Sequence, residues 1–136
     1  MTDQPNTASN PRDQNATILI YLVDDEPLIG EVVEAVLTLE GYRITFFQDP
    51  TVALQEFLKA DPKPQLLLAD FVMRPMTGME LIERCKQAQP ALKTILYSGN
   101  VGEEIMESHS VRPDAFLNKP FLPRKLIDLV KSVLAK

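Results

Sequence analysis

Two kinds of segment alternate along this chain. The first is short and almost continuously apolar: residues 17–23, 43–47, 65–70, 92–97 and 115–117. Runs of this length, rich in Ile, Leu, Val and Phe, read as strands, and residues 17–23 as one covered on both faces. The second kind is longer and repeats its apolar residues every three or four positions, which reads as helix. After the first run, Leu28, Val32, Val36 and Leu39 form one stripe, with Ile29, Val33 and Leu37 beside it. Pro27 suits the first turn of that helix and Gly41 its carboxyl end.

The remaining helices carry start and stop signals of the same kind. Asp49-Pro50 opens the second, whose buried stripe is predicted as Ala53, Leu54, Phe57 and Leu58, with Pro62 and Pro64 beyond its end. Thr77 and Glu80 have capping-box spacing and open a third helix carrying Met79, Ile82, Cys85 and Lys86. Asn100 and Glu103 predict a short fourth helix with Ile105 and Met106, the most weakly anchored element. The last helix presents Leu122, Leu126, Leu129, Val130 and Val133.

Five strand–helix units with short connections predict a parallel sheet wrapped by helices on both faces. Five units are too few for an eight-stranded barrel. With 136 residues, the chain suits a single domain. Residues 1–16 are polar, contain Pro5 and Pro11 and lack the apolar core of a signal peptide, so they are expected to form a flexible N-terminal tail before a domain at 17–136. No run reaches the about 20 apolar residues that span a bilayer, and without a targeting signal the expected location is cytoplasmic. A net charge of −5 gives no general pull toward nucleic acid or anionic membranes. The single cysteine, Cys85, is expected to be a buried, reduced thiol, and the single histidine, His109, an ordinary surface residue.

The candidate chemistry stands at the ends of the apolar runs. Asp24-Asp25, Asp70, Ser98 and Lys119-Pro120 each follow a predicted strand. Parallel strands bring such positions to one edge, where ligands bind in open α/β sheets. Asp24 and Asp25 repel each other unless a cation lies between them, and hard oxygen ligands suit Mg²⁺ or Mn²⁺ better than zinc. Asp70 can attack phosphorus and form an acyl phosphate. Ser98 and Lys119 can bind phosphoryl oxygens, and Gly99 leaves space beside them. Singly, these residues read as a cap, a turn and a surface lysine; their order within the strand–helix alternation makes them a set.

That set resembles a known family. Leu22-Val-Asp-Asp-Glu26, Leu67-Leu-Ala-Asp70 with Met73, Met76 and Gly78, Tyr97-Ser-Gly99 and Phe116-Leu-Asn-Lys-Pro-Phe121 resemble the receiver domain of two-component response regulators, of the chemotaxis-regulator type. The resemblance implies a flavodoxin-like, doubly wound, five-stranded parallel sheet, (βα)5, in a single domain. It implies Mg²⁺-dependent phosphoryl transfer to Asp70 from a phosphohistidine on a sensor histidine kinase or histidine phosphotransfer protein. Asp24 and Asp25 match the acidic pair that holds Mg²⁺ with Asp70, and the backbone carbonyl of Val72 completes the protein's share. Ser98 matches the hydroxyl that moves onto the phosphoryl group, Lys119 the ammonium that binds it, and Phe116 the aromatic switch residue.

Such a protein modifies itself and slowly loses its phosphoryl group, so it is not an enzyme acting on an external substrate. The resemblance implies output to a downstream protein through the fourth helix, fifth strand and fifth helix, without direct nucleic-acid or membrane contact. It is compatible with a stand-alone regulator, a phosphorelay intermediate or a receiver excised from a larger protein, as a monomer or a weak phosphorylation-dependent dimer. Three features depart from the family pattern. Arg74 stands where proline is common, with Pro75 after it; the switch residue is Phe rather than Tyr; and Val72 stands where it can hinder hydrolytic water, which predicts slow to moderate autodephosphorylation. The alternatives are a haloacid-dehalogenase-type Mg²⁺ phosphatase, a degenerate receiver acting only by binding, and a flavin carrier. The first lacks its Asp-x-Asp spacing at Asp24-Asp25-Glu26, and the last lacks a hydroxyl- and glycine-rich phosphate loop.

Overall fold

Five parallel strands form one sheet: β1 (Leu19–Val23), β2 (Arg43–Phe47), β3 (Leu66–Asp70), β4 (Lys93–Ser98) and β5 (Ala115–Asn118), in the order β2-β1-β3-β4-β5. The structure, a computed structural model, describes residues 18–99 and 111–136. Four helices are present among them: α1 (Pro27–Leu39), α2 (Pro50–Lys59), α3 (Gly78–Ala88) and α4 (Pro123–Leu134), the last being the one expected as fifth. The tail expected over residues 1–16, the helix expected from Asn100 and His109 lie outside the described residues. No described helix is long and apolar enough to cross a membrane.

The sheet divides two cores, because successive strand residues face opposite sides. On one side Ile20, Leu22, Leu66, Leu68, Ile95, Tyr97 and Leu117 pack against α1 and α4 through Val33, Leu37, Leu126, Val130 and Val133. On the other, Tyr21, Val23, Leu67, Ala69 and Leu96 pack against α2 and α3 through Ala53, Phe57, Met79, Leu81, Ile82 and Cys85. Cys85 is a free, buried thiol, and burial pushes its pKa up to about 12, so it stays protonated and inert.

The helix ends follow their local signals. Asp49 caps α2 by accepting the Thr51 N–H at 2.8 Å. Thr77 and Glu80 form the predicted reciprocal box, with bonds of 3.2 and 2.9 Å. Gly41, at φ 97°, ends α1 in the left-handed region. There the Tyr42 N–H reaches the Leu37 carbonyl and the Gly41 N–H that of Thr38, satisfying two terminal acceptors.

Of the two adjacent apolar stripes of α1, the second is the buried one. Val33 and Leu37 are buried with Gly30, whereas Leu28 and Val32 are 77% and 60% exposed and Leu39 also faces solvent. Gly30 shares the buried face: a Cβ there would lie 2.0 Å from the Phe46 ring, so the bare helix backbone leaves room for that side chain. Leu58 of α2 is likewise exposed, and Leu122 precedes α4 and is exposed while Ile127 is buried instead.

Candidate functional site

The carboxyl ends of β1, β3, β4 and β5 meet at one edge, and strand alternation sets what each contributes. Asp24 continues the Ile20–Leu22 side of β1, and Asp70 the Leu66–Leu68 side of β3. Both lie on the α1/α4 side, and both are almost fully buried. Asp25, one residue on, is exposed. The three carboxylates place oxygen atoms within 4.8 Å of one another.

A cation just past β5 faces this acidic group. Lys119 Nζ lies 3.5 Å from Asp70 Oδ1 and 3.6 Å from Glu26 Oε1. Its backbone N–H donates to the Ser98 carbonyl at 2.9 Å, which ties the ends of β4 and β5 together, and the Lys119–Pro120 peptide bond that follows is cis. Ser98 is buried. Asp70, Val72, Ser98, Gly99, Lys119 and Glu26 line an open cleft of about 400 Å³. Phe116 does not line it: the ring is half-buried against the α2/α3 core, on the β5 position paired with Leu96.

The loop after β3 is held close to the strand end. The Gly78 N–H donates to the Phe71 carbonyl at 3.0 Å. A Cβ on Gly78 would meet the Asp70 carbonyl oxygen at 2.3 Å and Leu96 Cδ1 at 2.7 Å, so only glycine lets α3 begin so near the acceptor strand. Met73 is buried beneath this loop, Val72 is 65% exposed above it, and the Arg74–Pro75 bond is cis.

Burial and like charge shape the electrostatics. Burial, then the neighbouring Asp24 charge, pushes the Asp70 carboxyl up to about 6; Lys119 and the Val72 N–H oppose the rise. Asp24 is also raised, burial outweighing hydrogen bonds from Tyr97 and the Glu26 N–H. A bound divalent cation relieves both. The donor set is carboxylate oxygen throughout, so it fits a small hard ion, Mg²⁺ or Mn²⁺, that keeps part of its water.

One participant is not evident from the sequence pattern. Tyr97, in the apolar run of β4, donates its hydroxyl to Asp24 Oδ2 at 2.6 Å across the intervening β3. Its ring also lies under Lys119, with Nζ 5.0 Å from the centroid, and meets Phe121 edge-on at 6.0 Å. The available clue is that a buried phenol needs an acceptor.

Beside the cleft runs an apolar groove of about 630 Å³ lined by Leu28, Ile29, Val32, Lys119, Pro120 and Phe121.

Comparisons with known proteins point the same way. A family model described as the response regulator receiver domain matches residues 20–131. The transcriptional regulatory protein CssR of Bacillus subtilis (strain 168) is 31% identical over 116 residues, covering 85% of this chain and 50% of CssR. The response regulator receiver protein CpdR of Brucella abortus (strain 2308) is 31% identical over 116 residues, covering 85% of this chain and 95% of CpdR. The phosphate regulon transcriptional regulatory protein PhoB of Pseudomonas aeruginosa is 31% identical over 120 residues, and the chain spans about half the length of CssR and PhoB. Among solved structures, a CheY-like receiver domain protein from Methanospirillum hungatei JF-1 has a TM-score of 0.80 at 28% identity, covering 87% of this chain and 94% of that one. The receiver domain of NtrX from Brucella abortus has a TM-score of 0.76 at 28% identity, covering 86% and 98%.

Proposed function

Because the chain belongs to the response regulator receiver domain family, we propose that it is a phosphoacceptor switch in which Asp70 receives a phosphoryl group from a phosphohistidine. Receiver domains partner with histidine kinases or phosphotransfer proteins, and they bind Mg²⁺ through an acidic cluster. The observation that carries the proposal is a buried carboxylate with two acidic neighbours and an ammonium 3.5 Å away.

An Asp70 oxygen attacks phosphorus, the phosphorus–nitrogen bond of the donor breaks, and the electron pair leaves with the imidazole. Lys119 binds a phosphoryl oxygen and leaves its contact with the free carboxylate. Ser98 supplies a hydroxyl to another. Asp24, Asp25, Asp70 and the Val72 carbonyl would hold the metal, which when bound offsets charge on the transferring group. Phe116 is the proposed switch: as Ser98 is drawn toward the phosphoryl group, the ring at the paired edge of β5 changes its seat. The modification thereby biases two arrangements of the β5–α4 face toward a downstream protein.

The apolar groove beside Lys119 gives the donor protein a surface next to the acceptor, since exposed apolar patches mark contact sites. We assign residues 17–136 to the domain and 1–16 to a tail. The phosphatase alternative is not favoured, because its Asp-x-Asp spacing after β1 is broken: Glu26 stands where the second aspartate is required. Incubation with Mg²⁺ and a small acyl-phosphate donor, followed by intact mass measurement, tests the proposal. One phosphoryl adduct is expected on the wild type and none on Asp70→Ala; an adduct that persists in Asp70→Ala refutes it.

A further inference from the structure

We infer that Tyr97 is a positioning residue for the metal-binding carboxylate of Asp24, an assignment that rests on the acidic cluster being a Mg²⁺ site. Asp24 is fully buried, and each of its oxygens has one donor: the Glu26 N–H reaches Oδ1 at 2.9 Å and the Tyr97 hydroxyl reaches Oδ2 at 2.6 Å. Two donors on two oxygens fix both the rotamer and the plane of the carboxylate. Each oxygen retains a lone pair for the ion or for water bound to it.

The phenol is itself held in place. Its ring belongs to the α1/α4 core, meets Phe121 edge-on and carries Lys119 Nζ over its face. Tyr97 is paired with Asp70 across the β3–β4 ladder, so its side chain passes the phosphoacceptor on the way to Asp24. One side chain thus touches both the acidic half of the site and its cation. Partners that orient a metal-binding group from behind typically contribute 10- to 100-fold to metal affinity. A purely structural reading has the hydroxyl serve only to satisfy its own burial. The two readings differ in whether metal affinity depends on it.

Tyr97→Phe keeps the ring, its edge contact and its face toward Lys119, and removes only the hydroxyl. Calorimetric Mg²⁺ titration of the wild type, Tyr97→Phe and Asp25→Asn separates the cases. About tenfold weaker binding in Tyr97→Phe is expected, in a variant whose circular dichroism matches the wild type. Unchanged affinity overturns the role of Tyr97 alone. No binding by the wild type, or no loss in Asp25→Asn, overturns the metal-site reading and this role with it.

A second measurement does not alter Tyr97. The chain has three tyrosines and no tryptophan, so in Tyr21→Phe/Tyr42→Phe, excited at a wavelength that phenylalanine hardly absorbs, Tyr97 is the one tyrosine left to emit. Its emission should change with Mg²⁺ at the calorimetric midpoint, because the ion draws on the carboxylate that accepts its hydrogen bond. Emission indifferent to saturating Mg²⁺ overturns the coupling.

Discussion

Lys119 and Asp70 form an ion pair of 3.5 Å between two largely buried groups at the ends of non-adjacent strands. The ammonium offsets the charge that makes Asp70 costly to bury, yet it also repels a divalent ion at the same edge. Lys119→Ala should therefore slow phosphorylation by a small donor about 10-fold or more, through loss of a phosphoryl-binding cation. Mg²⁺ affinity should hold or tighten, by about twofold, as the competing charge is removed. Parallel phosphorylation time courses and metal titrations check this split. Loss of metal affinity in Lys119→Ala would contradict it.

The raised Asp70 carboxyl predicts a pH dependence of stability in the metal-free protein. Its folded pKa, about 6, exceeds the ordinary 3.8. Between those values the folded state binds more protons, so the stability this group contributes is full below the unfolded pKa and is lost as pH rises through about 6. Asp70→Asn does not titrate. In chelator at pH 7.5 it should be more stable than the wild type by about 3 kcal/mol, and the advantage should shrink toward pH 4. Thermal unfolding of both proteins across that range gives the answer, and a constant difference would refute it.

Gly78 should be intolerant of a methyl group. A Cβ 2.3 Å from the Asp70 carbonyl oxygen forces α3 or the end of β3 to move. The cost of overpacking, about 1–3 kcal/mol, exceeds the about 1 kcal/mol gained in helix propensity. Gly78→Ala should thus lower the urea midpoint and also slow phosphorylation, since the displaced backbone is that of Asp70. Denaturation and phosphorylation assays on the one variant test both effects.

Val72 stands exposed at the mouth of the cleft. Its branched side chain is expected to hinder the water that hydrolyses the acyl phosphate. Val72→Asn should release phosphate several-fold faster, and an unchanged release rate would remove steric hindrance as the cause.

Much of this architecture is legible in the sequence because buried parallel strands and amphipathic helices write their periods plainly. Arg43–Phe47 and the Thr77–Glu80 box match their predictions, and strand ends alone bring Asp24, Asp70, Ser98 and Lys119 to one edge. Two features were hidden for identifiable reasons. In α1, apolar residues occupy two adjacent stripes, and which one is buried depends on packing against distant strand and helix residues, the Phe46 ring beside Gly30 among them. In β4, Tyr97 follows Ile95 and Leu96 and looks like core, and the partner of its hydroxyl lies 73 positions earlier in the chain. Local periodicity carries no information about that pairing.

The most direct test locates the phosphoryl group itself. Protein treated with Mg²⁺ and a small acyl-phosphate donor is reduced with borohydride, which converts an aspartyl phosphate to homoserine, and the peptides are mapped by mass. Homoserine at position 70, dependent on both donor and Mg²⁺, is the expected result. Homoserine at position 24 or 25, or an unmodified Asp70 in protein that carries the adduct, would contradict the assignment of Asp70 as the phosphoacceptor.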